Sequence, residues 1–146
     1  MSAQMNTLQA FLQQHIQSSY THTSPYLRTL PAMLLAQVHS RKNEIAIADQ
    51  ENEYSYETTL LHAVGIAAAL RARGVSYNDC LGLFIDASAD LALATWGILF
   101  AGAAYLPLAT DYPQDRLSYM VDDARVKLVL TNNRSRERLA GVLLPG

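Results

Sequence analysis

The side chains able to do chemistry are few and scattered. His15, His22, His39 and His62 are the four histidines, and none lies at metal-ligand spacing from another histidine, a cysteine or a carboxylate. His62 falls on a mainly apolar predicted helix, which suits a core or edge histidine better than a base. Cys80 is the single cysteine, so no internal disulfide can form. A thiol in an apolar stretch is expected to act as a small buried hydrophobe. Ser88 has no GxSxG surroundings and reads as a helix cap rather than a nucleophile. Asp122 and Asp123 are adjacent on a predicted helix, so they point in different directions and do not form an acid/base pair. They stand near the end of that helix, where negative charge opposes the dipole, and are expected to be solvated. Lys42 and Lys127 are the only lysines, both at surface-like positions. Neither a GxxxxGK(S/T) loop nor a GxGxxG turn occurs, so no phosphate cradle can be named. Catalytic residues: none; cofactor-binding residues: none; metal ligands: none are assigned from these patterns.

The elements that would position any site are easier to read. The chain has 146 residues, half of them hydrophobic, enough for one domain with a real core. Charged residues are 16% and the net charge is −2, which carries no basic footprint for nucleic acid. The Gln-rich start lacks a signal-peptide pattern. No apolar run approaches the roughly 18 residues needed to span a bilayer. A cytoplasmic, soluble protein is expected.

Leu8, Phe11, Leu12 and Ile16 share one face of a predicted leader helix over residues 6–17. That helix either packs on the domain or docks a neighbouring protein. Ser18 to Pro25 is a polar linker, so residues 1–29 are set apart from a domain over residues 30–146. Leu30 to Arg41 reads as a helix with Pro31 in its first turn and Leu34, Leu35 and Val38 as its stripe. Ile45 to Ala48 and Tyr54 to Tyr56 form a predicted antiparallel pair around the turn residues Asp49 to Asn52. A helix over residues 56–73 follows, with Leu60, Leu61, Val64, Ala68 and Leu70 inward and Gly74 as its stop. Strand and helix then alternate. Leu81 to Ile85 is a strand, Ser88 caps a helix to Ala101, and Tyr105 to Leu108 is a strand. Pro113 opens a helix to Ala124, Val126 to Leu130 is a strand, and Ser135 to Leu143 is a last helix. Short connections between alternating elements predict an α/β domain with a largely parallel sheet and flanking helices.

Two stretches carry a family likeness. The run Tyr54-Ser55-Tyr56-Glu57-Thr58-Thr59-Leu60, continued by Ala68-Ala69-Leu70-Arg71-Ala72-Arg73-Gly74-Val75, resembles the first core motif of nonribosomal peptide synthetase adenylation domains. That motif is a capping box opening a helix. Thr58 and Thr59 stand where the family has Glu and Leu, so the reciprocal half of the box is lost. A helix start weaker by about 1 kcal/mol is expected. The second run, Leu99-Phe100-Ala101-Gly102-Ala103-Ala104-Tyr105-Leu106-Pro107-Leu108 with Asp111-Tyr112-Pro113 and Arg116-Leu117, is similar to the second core motif. Phe100 replaces the usual Lys and Ala109 the usual Asp. In this motif Gly102 ends a helix, Ala103 and Ala104 allow close packing, and Pro107 fixes the strand exit. Asp122-Asp123-Ala124 and Leu128-Val129-Leu130-Thr131 also follow the family, so the likeness runs over residues 30–131.

The resemblance implies the first part of the N-terminal subdomain of an adenylate-forming enzyme. Complete members use ATP and Mg²⁺ to form an aminoacyl-adenylate and pass the acyl group to a carrier-protein thiol. Their phosphate-gripping loop, amino-acid pocket and lid lysine follow the region seen here, so the resemblance transfers no site residue and this chain alone is expected to be inactive. The chain then reads as the front of a larger synthetase, with the start MSAQMN as a native N-terminus and Pro145-Gly146 as a cut. Alternatively it is a naturally truncated domain acting as a structural or docking module, or an unrelated α/β ligand-binding domain. Expected partners are the remainder of a synthetase or neighbouring synthetase domains, with self-association through exposed apolar surface or an open sheet edge. Some members need a small MbtH-like activator, for which no contact can be placed.

Overall fold

The computed structural model describes residues 29–139. The predicted leader helix, its linker and the end of the last predicted helix lie outside them. The order is α1 (Leu30–Arg41), β1 (Ile45–Ala48), β2 (Glu53–Ser55), α2 (Tyr56–Ala72), β3 (Cys80–Phe84), α3 (Ala89–Phe100), β4 (Ala104–Pro107), α4 (Gln114–Asp123), β5 (Leu128–Thr131) and α5 (Asn133–Leu139). β1 and β2 form an antiparallel hairpin, and β4-β3-β5 form a three-stranded parallel sheet in that order. This is the α/β class that the alternating pattern predicts.

The hairpin turns on one carboxylate. Asp49 Oδ1 accepts the amides of Glu51 at 2.9 Å and Asn52 at 2.8 Å, folding the chain back through local bonds. The return strand covers Glu53–Ser55, one residue earlier than the sequence pattern places it.

The start of α2 is closed more fully than the lost capping box implies. Ser55 Oγ accepts the Thr58 amide at 3.2 Å. The carbonyls of Glu44 and Lys42 accept the amides of Tyr56 and Glu57 at 3.0 and 3.1 Å. Lys42 pairs with Glu57 at 2.9 Å. The first three helical amides therefore all have partners. The Thr58 hydroxyl donates to the Ser55 carbonyl at 3.1 Å instead of reaching back as a Glu would. The turn after α1 thus supplies partners for two helical amides that a capping box does not address.

The sheet is covered on both faces because its two crossovers travel in opposite directions. From β3 the chain moves one way to β4 through α3, then back past β3 to β5 through α4. Crossovers of one hand that reverse direction put their helices on opposite faces. Leu81, Leu83 and Ile85 pack with Leu128 and Leu130 against α1, α2 and α3. Phe84, Leu108 and Leu117 form the second core, with Val129, Met120 and Leu139 against it. The alternation along β3 and β5 is the period of two expected for strands buried on both sides.

α2 and α3 cross at a notch. A Cβ on Gly97 would lie 2.3 Å from Ile66 Cγ2 and 2.5 Å from Ile66 Cβ, so only hydrogen fits there. Four residues are placed differently from the sequence expectation. Leu61 is 37% exposed and Ala68 is half-buried, while Ala63 and Ala67 are the buried small residues of α2. Ala104 is exposed on the outer strand, and only Ala103 packs. Cys80 is half-buried at the start of β3 rather than fully inside.

Candidate functional site

In a parallel sheet, the carboxyl ends of neighbouring strands open a crevice where their connections leave toward opposite faces. Here that point lies between β3, which leads to α3 on one face, and β4, which leads to α4 on the other. Asp86 follows β3 and Thr110 follows β4. The Thr110 hydroxyl donates to Asp86 Oδ1 across the crevice. Arg138 of α5 donates to Asp86 Oδ2, and Ser135 Oγ reaches the same oxygen at 3.4 Å. These bonds, with the Thr110 hydroxyl foremost, hold the Asp86 carboxyl below the usual carboxylate range. All the partners donate to the ionised form, so Asp86 is a clasp rather than a general acid.

A second concavity, about 530 Å³, opens beside it at the end of β5. Its floor is apolar, with Ile66, Leu93, Ala94 and Leu130. Its rim carries His62, Asp90, Asn132 and Arg134. The rim groups are tied to one another or to the hairpin. Asn132 Nδ2 donates to Asp90 Oδ2 at 2.8 Å, and Arg134 pairs with Glu51 at 2.5 Å. His62 is exposed, with its ring edge-on to Tyr54 at 5.2 Å between centroids. No lining residue forms a nucleophile–base pair.

The residues singled out in the sequence are not brought together. Ser88 occupies the cap position of α3, but its hydroxyl donates to the Asp86 carbonyl at 2.9 Å and caps nothing. The amide of Ala89 instead donates to Asp49 Oδ2 at 2.9 Å. One carboxylate thus folds the hairpin with one oxygen and caps α3 with the other. Those amides, Ala89 first, keep Asp49 low in pKa. Asp122 and Asp123 are exposed at the end of α4, as expected. The lysines are less idle than their positions suggest. Lys127 Nζ bridges Asp79 and the Gly74 carbonyl, each at 2.7 Å, and lowers the Asp79 pKa. Asp86 and Thr110 could have been found from the switch-point rule, since each lies in the loop leaving the carboxyl end of a parallel strand.

The two family-like stretches meet in space. Arg71 Nη2, from the end of α2, donates to the Ala101 carbonyl at the end of α3 at 2.9 Å. A cation there satisfies an orphan carbonyl and suits the helix dipole. Gly102 follows with φ +76°, the left-handed conformation that ends the helix. Residues 34–144 match the family described as AMP-binding enzyme. The chain belongs to that family. It is 40% identical over 111 residues to indigoidine synthase of Streptomyces lavendulae, covering 76% of itself and 9% of that protein. It is 38% identical over 114 residues to enterobactin synthase component F of Escherichia coli O157:H7, covering 78% of itself and again 9% of the relative. Its fold matches a four-domain nonribosomal peptide synthetase bound to AMP and glycine, with TM-score 0.73 and 29% identity over 98% of this chain and 13% of that one. The N-terminal subdomain of Klebsiella oxytoca NpsA shares the fold at TM-score 0.69 and 14% identity, covering 80% of this chain and 32% of that one. The chain therefore spans only 2–9% of the length of the curated relatives it matches. Among its described residues no helix is long and apolar enough to cross a membrane.

Proposed function

We propose that this chain supplies the opening scaffold of an amino-acid-activating adenylation domain of a nonribosomal peptide synthetase, and performs no chemistry alone. The observation carrying this reading is the Arg71–Ala101 lock, which turns the two family-like stretches into one packing unit. ATP and Mg²⁺ belong to the complete domain. The described residues do not fit a triphosphate. Asp86 would repel phosphate in the crevice, and Arg138, the cation beside it, is already spent on Asp86. Among the described residues no group of three or more His, Cys, Asp or Glu could hold a metal. Phosphate contacts would come from the remainder of the synthetase, its partner in the cytoplasm. ATP–pyrophosphate exchange tests the reading. The chain alone should give none with any amino acid and Mg²⁺. Grafted in place of the matching 111 residues of the Streptomyces indigoidine synthase, it should keep exchange within about tenfold, or 1.4 kcal/mol of barrier. Exchange by the isolated chain would refute the first claim. A folded but dead graft would refute the second.

A further inference from the structure

The two edges of the parallel sheet are built differently. On β4 the amides of Ala104 and Leu108 donate to the carbonyls of Asp79 and Leu83, each at 2.8 Å. Amides alternate sides along a strand, so the outward positions of β4 are Tyr105 and Pro107. Pro107 has no N–H, which blunts that edge. β5 carries no such block. Just before it the Lys127 amide donates to the Cys80 carbonyl at 2.9 Å. Val129 therefore turns its amide toward β3, and Leu128 and Leu130 turn theirs away. The run Leu128-Val129-Leu130-Thr131 holds neither proline nor charge and pairs with β3 without a bulge. Among the described residues no strand pairs with its outer side. An edge with none of the usual blunting devices is a template for another strand.

The concavity at the end of β5 points to the same occupant. Leu130 and Thr131 of β5 line it together with Ile66 of α2 and Leu93 and Ala94 of α3. A strand laid outside β5 turns every second side chain toward this helix layer, where the floor is apolar. We propose that β5 is an interior strand of the complete sheet. Its outer edge takes a parallel strand, aliphatic at alternate positions, from the remainder of the adenylation domain. This rests on the reading of the chain as an adenylation-domain scaffold. Enough protein lies outside the chain to supply the strand, since the chain covers only 32% of the NpsA N-terminal subdomain whose fold it shares. A second copy is the weaker fit. β5 has four residues and extends about 13 Å. Two such strips paired edge to edge bury far less than the roughly 800 Å² per partner of a standard interface.

Amide hydrogen exchange tests this in two settings. In the isolated chain the Leu128 and Leu130 amides should exchange at least about tenfold faster than that of Val129. In the indigoidine synthase graft, read by fragmentation mass spectrometry, both should slow by about a hundredfold or more. Leu130→Pro, set beside Leu130→Ala, separates backbone from side chain. In the isolated chain the two variants should have closely similar urea midpoints, because an open edge loses no hydrogen bond to proline. In the graft Leu130→Pro should return the Leu128 amide to fast exchange, and Leu130→Ala should not. Leu128 and Leu130 as protected as Val129 in the isolated chain would overturn the proposal, by giving the edge to a second copy. Edge amides that stay fast in the graft would overturn it too, as would slow exchange at Leu128 that survives Leu130→Pro. A graft with both amides slowed but no ATP–pyrophosphate exchange would refute the scaffold reading and uphold the edge.

Discussion

Two Gly→Ala substitutions on the same helix pair should have opposite signs. Gly65 and Gly97 both sit in helix interiors, and each would gain up to about 1 kcal/mol in propensity as alanine. At Gly65 the new methyl meets open space, so the gain should appear whole. At Gly97 it would lie 2.5 Å from Ile66 Cβ, an atom fixed to the backbone of α2. Carbon atoms in contact stand about 3.5–4.0 Å apart, so the helices must separate by about 1 Å or more. Overpacking of this kind costs about 1–3 kcal/mol, and the rigid partner places this case in the upper half. The net effect of Gly97→Ala is a loss of about 1–2 kcal/mol. The two variants should therefore differ by about 2–3 kcal/mol, or more than 1 M in urea midpoint at an m-value of about 1–2 kcal/mol/M. Urea unfolding followed by far-ultraviolet circular dichroism measures this directly. If Gly97→Ala stabilises the chain as much as Gly65→Ala, the notch is not a close contact and the account of the crossing fails.

Asp49→Ala should lower the melting temperature clearly more than Ser88→Ala, because Asp49 and not Ser88 holds the start of α3; equal shifts would restore Ser88 as the cap. Arg71→Met should cost about 1.5–3 kcal/mol by urea unfolding, the range for a hydrogen bond from a charged group, with the loss felt at Ala101. Asp49, Asp79 and Asp86 are all held below their ordinary pKa in the folded chain. Their stabilisation is complete above the unfolded value near 4 and disappears as pH falls through the lower folded values, since the unfolded chain takes up protons first. Thermal melts from pH 6 to pH 2 should show that decline, and Asp86→Asn should flatten it; an unchanged acid limb would show that the clasp does not form.

The period of hydrophobicity and the turn residues made the element order legible. Gly74 and Gly102, both at positive φ, end helices where the sequence places their ends. What escaped the sequence was supplied by residues distant along the chain. Ser88 had the right type for a cap, but a carboxylate 40 positions before Ala89 does the work. Thr58 lacks the reach of a Glu, and carbonyls from the turn after α1 take up neighbouring helical amides that no local pattern announces. Leu61 was read as inward because helical spacing marks a stripe without saying how wide it is. On an apolar helix such as α2 the stripe has no visible border. The Asp86 clasp joins three elements that are neighbours only after the sheet has formed, so no local pattern could announce it.

The order of the sheet also bears on how the chain emerges from the ribosome. β3, the middle strand, is made first, and its second neighbour begins about forty residues after β3 ends. At about 5–20 residues per second, one side of β3 waits about 2–9 seconds without a mate. Phe84 would stay uncovered during that interval, since Leu117 and Val129 come later. Synthesis speed through residues 85–131 should therefore govern how much of this chain needs a chaperone's hold.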